Sequence, residues 1–402
     1  MRFELNPLLR RFVCSLSGAE VPFSGDRPLG LCPCCPPPGA PLLAHYDLDR
    51  VRAEWPAEAL GTTGGPGLSR FAPLLPVSLG GVRYAGDVGD TPVVPLALPG
   101  EEGVLVKHEG TNPSGSFKDR GLSVGVALGV ALGARRFCLP TQGNAGVAAA
   151  LFSARAGLSP VRVAMPAGYE DGPYARAAAF FGAELSFAGE NIAAAGAALR
   201  EELAGALAAG EVVDLSTFFE PGRLEGKKTL GLELWRELGP AGLPEWIVYP
   251  TGGGTGLVGL WKAFRELEAL GYLPPERLPR LAAVQSAGCA PVVASFERGD
   301  ERVLPVRSRG TVADGLDVPG AIMGHGILRA LRESRGAAVA VPDEAILGAW
   351  RELGRAGLGA SLEGAATLAG LRALRARGAV EEGARVLLLS TGGHTVPLAL
   401  GR

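Results

Sequence analysis

The sequence contains little cysteine, little histidine and no excess of either charge. Among its 402 residues there are six cysteines and four histidines, and the formal net charge is −2. A disulfide framework is excluded, because disulfide scaffolds carry far more cysteine in shorter chains. Lysine and arginine are scattered, so nothing indicates nucleic acid or an anionic membrane as a partner. We expect a small-molecule partner instead.

Long apolar runs are also missing. The most apolar helical segment, residues 122–134, is shorter than the roughly 20 residues that cross a bilayer, so we expect a helix of the protein core and no membrane partner. No basic and apolar leader with a small-residue cleavage site opens the sequence, and we therefore expect a cytoplasmic protein. A chain of 402 residues can bury a sizeable core, and two domains are the default expectation.

Beyond its first 45 residues or so, the chain alternates short β-branched runs with long alanine- and leucine-rich runs. This alternation predicts parallel sheets covered by helices, an α/β fold. Seven strands are predicted, in VLVKHE, RFCLPT, VRVAMPA, AELSFA, WIVYPT, LAAVQS and VLLLST. Eight helices are predicted, over 117–133, 143–157, 173–182, 192–209, 223–238, 256–270, 343–356 and 363–377.

Four loops with polar or glycine-rich chemistry follow predicted strands. In parallel sheets, ligands bind at the carboxyl ends of the strands, where loops run into helix N-termini. The loops are EGTNPSGSFKDRG from Glu109, PTQGNAG from Pro140, PTGGGTGLVG from Pro250 and STGGHT from Ser390. We expect them to converge on one cleft.

The segment TGGGTGLVG, residues 251–259, formally matches the dinucleotide fingerprint. The acidic residue that would bind a ribose is missing, because the next predicted strand ends in Gln285 and Ser286. An ATP-binding loop would end in Gly-Lys-Ser/Thr, which is also missing. The loop therefore predicts a seat for one phosphate group, built from backbone N–H groups and the Thr255 hydroxyl at a helix N-terminus. A glycine turn that serves only strand–helix packing is the alternative.

Lys118 lies in a turn-rich loop just before an apolar helix. A lysine used in chemistry must be held in a turned, partly dry site, whereas a solvated lysine at a helix start needs no such approach. An isolated lysine, a seat for one phosphate and the polar loop QGNAG together favour pyridoxal 5′-phosphate as cofactor. That cofactor needs an amine, a phosphate anchor and partners for its ring hydroxyl and ring nitrogen.

Five motifs carry a resemblance to a known family: NPSGSFKDRG, PTQGNAG, RLEGKKTLGLE, YPTGGGTGLVGLWKAF and LLSTGGHT. In this order they resemble the fold-type II pyridoxal-phosphate enzymes, and among them the threonine synthase branch, from about Leu42 to the C-terminus. The resemblance implies a two-domain α/β fold similar to the tryptophan synthase β subunit, with cofactor and substrate in the cleft between the domains, and a homodimer. We expect a cysteine- and proline-rich appendage at 1–45, a smaller domain at 118–222, and a larger cofactor-binding domain from 80–117 with 223–402.

The resemblance also implies roles for individual residues. Lys118 would bind the cofactor as a Schiff base and later shuttle protons. Asn144 would hydrogen-bond the 3′ oxygen of the cofactor, and a helix N-cap is the alternative role. Thr391 would lie at the pyridine nitrogen, with Ser390 as the neighbour that could replace it. The cofactor phosphate would be held by Gly252, Gly253, Gly254, Thr255 and Gly256.

Threonine synthases convert O-phosphohomoserine and water to threonine and phosphate, so the resemblance implies a second anion pocket. Arg223 with Lys227 and Lys228 is the candidate, and a solvated helix face is the alternative. Glu220 and Lys227 depart from the family pattern Asn-Pro-x-Arg-x-x-Gly-Gln-Lys-Thr, which bears on the substrate rather than on the cofactor. The candidates for binding the substrate carboxylate are Ser114, Ser116, Thr141 and Gln142.

Two other activities fit the same resemblance. One is a β-eliminating enzyme of this fold, such as a threonine or serine dehydratase or a diaminopropionate ammonia-lyase, which needs no second phosphate pocket. The other is a non-catalytic paralogue that keeps the fold and the cofactor.

The cysteine-rich appendage contains two four-residue motifs that begin with cysteine. CSLS (14–17) and CPCC (32–35) resemble a zinc ribbon with one ligand lost. Structural zinc needs four thiolate or imidazole ligands, and only Cys34 or His45 could replace the missing one. We expect a metal-free remnant and no metal ligands, with zinc binding as the alternative.

Overall fold

The computed structural model describes residues 2–24, 28–79, 82–394 and 399. The chain divides into two compact units. The first unit is Met1–Asp90 with Lys118–Leu232, and the second is Thr91–Phe117 with Glu233–Arg402. The predicted smaller domain, 118–222, thus lies within the first unit, which also includes the N-terminal segment and residues 223–232.

Thirteen strands are found in the described part of the chain. In chain order they are β1 (Leu9–Cys14), β2 (Glu20–Val21), β3 (Leu42–Tyr46), β4 (Val93–Pro95), β5 (Val104–His108), β6 (Arg136–Pro140), β7 (Arg162–Met165), β8 (Glu184–Phe187), β9 (Val212–Asp214), β10 (Trp246–Pro250), β11 (Arg280–Ser286), β12 (Ala337–Val341) and β13 (Val386–Ser390).

The same residues form thirteen α-helices. They are α1 (Leu48–Glu54), α2 (Val82–Ala85), α3 (Lys118–Ala131), α4 (Asn144–Ala156), α5 (Pro173–Phe180), α6 (Ile192–Glu202), α7 (Ala204–Ala208), α8 (Gly222–Gly242), α9 (Thr255–Ala269), α10 (Pro291–Arg298), α11 (Gly324–Glu333), α12 (Asp343–Arg355) and α13 (Leu362–Ala376). Within the described residues, no helix combines the length and the apolar character that a membrane span requires.

The first unit contains two sheets. Its N-terminal sheet is antiparallel, with the order β2-β1-β3. Its four-stranded sheet is parallel, with the order β8-β7-β6-β9, and α6 packs on it through Ala195 and Leu199 against Cys138 and Ala164. The carboxyl ends of these parallel strands lead into the loops of this unit, including the loop at 140–144.

The second unit is built on a six-stranded sheet. The order is β12-β11-β10-β13-β5-β4, parallel except for the antiparallel pair β4 and β5. Its core joins Val248, Val284 and Leu388 of the central strands to Ala365 and Leu368 of α13. Since the strands are buried on both faces, they read as continuous apolar runs, as expected of a parallel sheet.

All seven predicted strands are observed, so the α/β prediction is confirmed. The predicted helix 192–209 is wrong in one respect, because Leu203 interrupts it and separates α6 from α7. Several elements were not predicted, namely β1 to β4, β9 and β12 among the strands and α1, α2, α10 and α11 among the helices. The sequence of β12, AAVAV, is rich in alanine, and β9 has only three residues, so neither gives a clear strand signal.

Candidate active site

The lysine loop, residues 109–117, pairs with the segment that follows β13 in the second unit. The backbone N–H of Phe117 donates to the Thr391 carbonyl at 3.0 Å, and that of Gly393 donates to the Gly115 carbonyl at 3.0 Å. Ser116 and Gly392 form a β-bridge between these two bonds. Two of the four predicted loops are thus brought together, and Lys118 follows directly in sequence as the first residue of α3.

Glu109 holds the base of the lysine loop. Its carboxylate is fully buried and accepts hydrogen bonds from the Thr91 hydroxyl at 2.6 Å and the Asn112 amide at 3.0 Å. The Asn112 carbonyl in turn accepts from the N–H of Gly115 at 2.7 Å. Sequence reasoning missed this residue, although an acid placed directly after a buried strand is a signal that could have found it.

The chain has five lysines, and three of them form ion pairs that explain their positions. Lys107 is fully buried and lies 2.7 Å from Glu233 and 2.9 Å from Glu237. Lys262 pairs with Glu266 along α9, and Lys228 pairs with Glu225. Lys118 was predicted to bind the cofactor, and Lys227 was predicted, together with Arg223 and Lys228, to bind the substrate phosphate.

The glycine loop, residues 251–256, has the geometry of an anion seat. A Cβ at Gly252 would collide with the Gly315 carbonyl, one at Gly254 with Ile327, and one at Gly256 with the Tyr249 hydroxyl. Gly254 also has a φ of 78° and is the N-cap of α9, without a side-chain capping bond. The first N–H groups of a helix have no intrahelical partner, so the backbone here can donate to a phosphate.

Two neighbours fix the glycine loop in place. Thr251 donates its N–H to the Val284 carbonyl at 2.7 Å and accepts from the Gln285 side-chain amide at 3.0 Å through its own carbonyl. The Gln285 side-chain oxygen accepts from the N–H groups of Val292 and Val293 at 2.8 and 3.1 Å. Gln285, which replaces the acid of a dinucleotide site, therefore supports the loop.

Tyr249 links the glycine loop to the residue before Lys118. Its ring packs edge-on against Phe117, with ring centroids 6.2 Å apart, and its hydroxyl lies beneath Gly256. Burial raises the pKa of Tyr249 far above its usual range, so the phenol is neutral. All three residues belong to the second unit, which thus positions both the glycine loop and the residue that precedes Lys118.

Two hydroxyls stand at the carboxyl end of β13, where the pyridine-nitrogen partner was predicted. Thr391 is buried, and its carbonyl is the acceptor for Phe117. Ser390 is also buried, and its Oγ has no hydrogen-bond partner among the residues that the structure describes. A Cβ at Gly364 would lie 3.0 Å from this Oγ, so Ser390 faces α13. A hydroxyl is available here, and no carboxylate occupies either position.

In the first unit, the loop after β6 presents Asn144 at the start of α4. The N-cap is Gly143, so the alternative that Asn144 is the N-cap is wrong. The Asn144 amide instead donates to the hydroxyl of Tyr174 at 3.5 Å, and Thr141 accepts from the N–H of Gly143 at 3.2 Å. Tyr174 was not predicted, since nothing in the segment around α5 distinguishes it from a packing residue.

The candidates for the substrate carboxylate lie in both units. Ser114 and Ser116 are in the lysine loop of the second unit, where Ser116 is buried and Ser114 half-buried. Thr141 and Gln142 are in the first unit, where Thr141 is buried and Gln142 half-buried. Their roles remain predictions.

The basic segment, residues 220–228, contains the start of α8. The Glu220 carboxylate accepts from the N–H groups of Gly222 at 2.6 Å and Arg223 at 2.9 Å, so it closes the N-terminus of this helix. Burial raises the pKa of Glu220 to about 7. The Arg223 guanidinium donates to the Leu215 carbonyl, and burial lowers its pKa. Glu220 thus binds its own helix rather than projecting toward a substrate anion.

Glycines let α8 approach α3 closely. A Cβ at Gly226 would collide with the Arg120 carbonyl, and one at Gly222 would lie 2.7 Å from the Cα of Gly125. The stem of Lys227 consequently packs on α3, since a Cβ at Gly121 would lie 3.1 Å from its Cε. Gly121 is three residues, about one helical turn, beyond Lys118.

The neighbouring Lys228 contacts other partners. Its Nζ lies 2.6 Å from Glu225 and 4.3 Å from the centre of the Tyr46 ring. Arg223, Lys227 and Lys228 are at most 2% exposed. The alternative of a solvated helix face is therefore wrong, and the three cations have separate surroundings within the first unit.

Comparisons with known proteins identify the family of the chain. The profile of the family described as pyridoxal-phosphate dependent enzyme matches residues 84–392. A threonine synthase of Methanosarcina acetivorans is 33% identical over 384 residues, covering 94% of this chain and 90% of that protein. A threonine synthase of Synechocystis sp. is 32% identical over 331 residues, covering 81% of each.

Solved structures show the same fold. Maize serine racemase superposes with a TM-score of 0.63 at 20% identity, covering 77% of this chain and 91% of that one. A threonine deaminase from T.th. superposes with a TM-score of 0.57 at 27% identity, covering 72% of this chain and 87% of that one. The cofactor of the family is pyridoxal phosphate. The second unit offers groups that fit two parts of it, because a glycine turn at a helix N-terminus can donate to a phosphate and the Thr391 hydroxyl at the end of β13 can hydrogen-bond a ring nitrogen. The chain belongs to the pyridoxal-phosphate dependent enzymes of fold type II, in the threonine synthase branch.

Proposed function

We propose that the protein is a threonine synthase that converts O-phospho-L-homoserine and water to L-threonine and phosphate. The observation that carries this proposal is Lys227, a buried cation whose stem packs on α3 one turn beyond Lys118. A β-eliminating enzyme needs no cation here to bind a substrate phosphate, because its substrate carries no phosphate. Relatives named threonine synthase that match over most of the chain support the same substrate.

The cofactor would be held through its three polar ends. The Lys118 amine would bind its carbonyl, the N–H groups of the glycine loop would bind its phosphate, and the Thr391 hydroxyl would hydrogen-bond the ring nitrogen. Asn144 would donate to the 3′ oxygen, with its amide oriented by Tyr174. When bound, pyridoxal phosphate supplies a ring that withdraws electrons from the substrate carbons. A hydroxyl at the ring nitrogen leaves that nitrogen closer to neutral than a carboxylate would.

The protein's own groups would do the remaining work. Lys118 Nζ would take a proton from a substrate carbon and return it to another, which requires a neutral amine. Lys227 would neutralise the phosphate of the substrate and stabilise it as it leaves. Arg223 is assigned to the same anion, and its contact with Leu215 fixes its orientation. Ser114, Ser116, Thr141 and Gln142 would bind the substrate carboxylate.

A substrate comparison tests the proposal. Purified protein reconstituted with pyridoxal phosphate is assayed with O-phosphohomoserine, L-threonine and diaminopropionate, measuring inorganic phosphate, threonine and ammonia. We expect phosphate and threonine to form in equal amounts from the first substrate. Ammonia release without phosphate would identify a β-eliminating enzyme, an activity that the 27% identity to a threonine deaminase structure also supports.

Borohydride trapping tests the role of Lys118. With five lysines in the chain, peptide mapping after reduction identifies the labelled residue directly. We expect the label on Lys118 and its loss in Lys118→Ala, whereas Lys262→Met keeps the label. A label elsewhere would contradict the assignment. An absorption band that no amino acid perturbs would instead indicate a non-catalytic paralogue.

We also propose that the protein is a homodimer, as the resemblance implies, and that it is cytoplasmic. Light scattering on the reconstituted protein measures the oligomeric state, and a monomer at all concentrations would contradict this part of the proposal.

A further inference from the structure

Three cysteines of the first unit converge, although they are separated in sequence. Cys14 ends β1, and Cys32 and Cys35 lie in a later turn. Their three sulfur atoms all lie within 4.8 Å of one another, and those of Cys14 and Cys35 are 3.4 Å apart. A tetrahedral metal with metal–sulfur bonds of about 2.3 Å places its sulfurs roughly 3.8 Å apart. The observed spacing therefore suits a single ion.

The backbone builds this cluster from two turns. In the first, the N–H of Cys14 donates to the Ala19 carbonyl at 2.8 Å, and the N–H of Ser17 donates to the Cys14 sulfur at 3.4 Å. In the second, the N–H of Cys32 donates to the Ala40 carbonyl at 2.7 Å, and the N–H of Cys34 hydrogen-bonds the Cys32 sulfur. N–H groups directed at sulfur stabilise negative charge, which is what a metal-bound thiolate carries.

Strand register decides which residues stand apart from the cluster. Cys14 lies opposite Leu42 on the buried face of the sheet, whereas His45 lies opposite Arg11 on the other face and is exposed. Cys34 is exposed and is not part of the sulfur cluster. Ser17 occupies the place, three residues after Cys14, where a second cysteine of the pair would stand, and it is exposed.

We propose that Cys14, Cys32 and Cys35 bind one thiophilic divalent ion, with Zn²⁺ as the natural choice, through three thiolates. The fourth position is taken by water beside Ser17. The convergence of two buried cysteines and one half-buried cysteine favours this site over the metal-free remnant expected from the sequence. The inference does not depend on the proposed function, since the cluster is built from residues outside the lysine and glycine loops.

The site would stabilise the N-terminal sheet and its contact with α8. The sheet β2-β1-β3 is small, and small layers of this kind commonly depend on a metal or a disulfide. Tyr46, at the end of β3, donates to Glu225 at 2.8 Å. Glu225 is also the partner of Lys228, so the sheet and the basic segment share this buried carboxylate.

Metal analysis of the full-length protein under reducing conditions tests the site. We expect about one zinc per chain by elemental analysis, and thiolate-to-cobalt charge-transfer absorption when Co²⁺ replaces zinc. Cys35→Ser, at a half-buried position, should retain less than about a tenth of the zinc, whereas Cys34→Ser retains all of it. Removal of zinc by a chelator should lower the melting temperature of the wild-type protein.

Ser17→Cys sharpens the test, because it supplies a fourth thiolate. We expect release of zinc to a chelator to slow by at least about tenfold. Unchanged release would contradict the open fourth position. Wild-type protein that takes up no zinc or cobalt, a Cys14–Cys35 disulfide that persists under reductant, or loss of zinc in Cys34→Ser would each overturn the proposed ligand set.

Discussion

The glycine loop, residues 251–256, and the basic segment, residues 220–228, both run into a helix start and both are assigned to an anion. In the glycine loop, the groups that would bind are backbone N–H groups, whose directions follow from the turn and from the absence of side chains. In the basic segment, the groups are long cationic side chains that follow one another along a helix. Three cations of this segment have three different surroundings.

The difference shows which binding groups can be predicted from adjacent residues of the sequence and which cannot. A run of glycines before a helix is visible in adjacent residues of the sequence, whereas a lysine side chain with four methylene groups can extend along either side of a helix. Lys227 packs on α3 and Lys228 on Tyr46, although they are neighbours in sequence. Their roles in binding and in stability can therefore be separated by mutation.

Lys228→Met should produce the largest change. It leaves the fully buried Glu225 carboxylate without its cation, so we expect the free energy of unfolding to fall by about 3–5 kcal/mol. Denaturant unfolding measures this loss, and Lys228→Met with Glu225→Gln should recover much of it. A loss below about 1 kcal/mol would show that the pair contributes little to stability.

Glu220→Gln should remove a pH dependence of stability. The pKa of Glu220 is about 7 in the folded protein against an ordinary value of 4.5, so the folded state binds more protons between these values. The contribution of Glu220 to the free energy of unfolding is therefore fully present below pH 4.5 and is lost as the pH rises through 7. At about 1.4 kcal/mol per pKa unit, this loss amounts to up to about 3 kcal/mol.

The free energy of unfolding is measured at pH 5 and pH 8 for the wild type and for Glu220→Gln. Glu58→Gln, at an exposed position, is the control. We expect a smaller decrease in stability between the two pH values for Glu220→Gln alone. Parallel decreases in all three proteins would contradict the prediction.

Gly252→Ala should weaken cofactor binding by about a hundredfold, or about 2.7 kcal/mol, because the new methyl group collides with a backbone carbonyl that cannot rotate away. Absorbance titration with pyridoxal phosphate measures the dissociation constant. Gly205→Ala in α7, where a Cβ meets nothing within 4 Å, is the matched control. An unchanged dissociation constant would rule out the loop as the phosphate seat.

Lys227→Met should have the smallest effect and the most specific one. Loss of one charge-assisted contact to the substrate phosphate should raise the KM for O-phosphohomoserine about tenfold, corresponding to about 1.4 kcal/mol. The absorption of the bound cofactor should not change. Lys262→Met in the second unit serves as the control, and an equal KM in both variants would remove Lys227 from the substrate site.

Much of the fold was predictable, because the hydrophobic periodicity and the residue composition of a segment can be read from adjacent residues. Strands such as WIVYP and VLLLS are short apolar runs followed by Thr-Gly, and all seven predicted strands were found. AAVAV was missed, because alanine does not distinguish a buried strand from a helix. The sequence left two roles for Asn144, a helix N-cap and a residue that binds the cofactor. Only the backbone showed that Gly143, and not Asn144, is the N-cap.

The sequence by itself determined the α/β alternation, the glycine cradle and the lysine at the start of a helix, since each depends on a few adjacent residues. Only the tertiary structure decided which carboxylates pair with Lys107, Lys228 and Lys262 and that Glu109 supports the lysine loop. It also brought three distant cysteines together. The physical reason is that backbone geometry is set within a turn, whereas the direction and surroundings of a side chain are set by helices and strands far away in sequence.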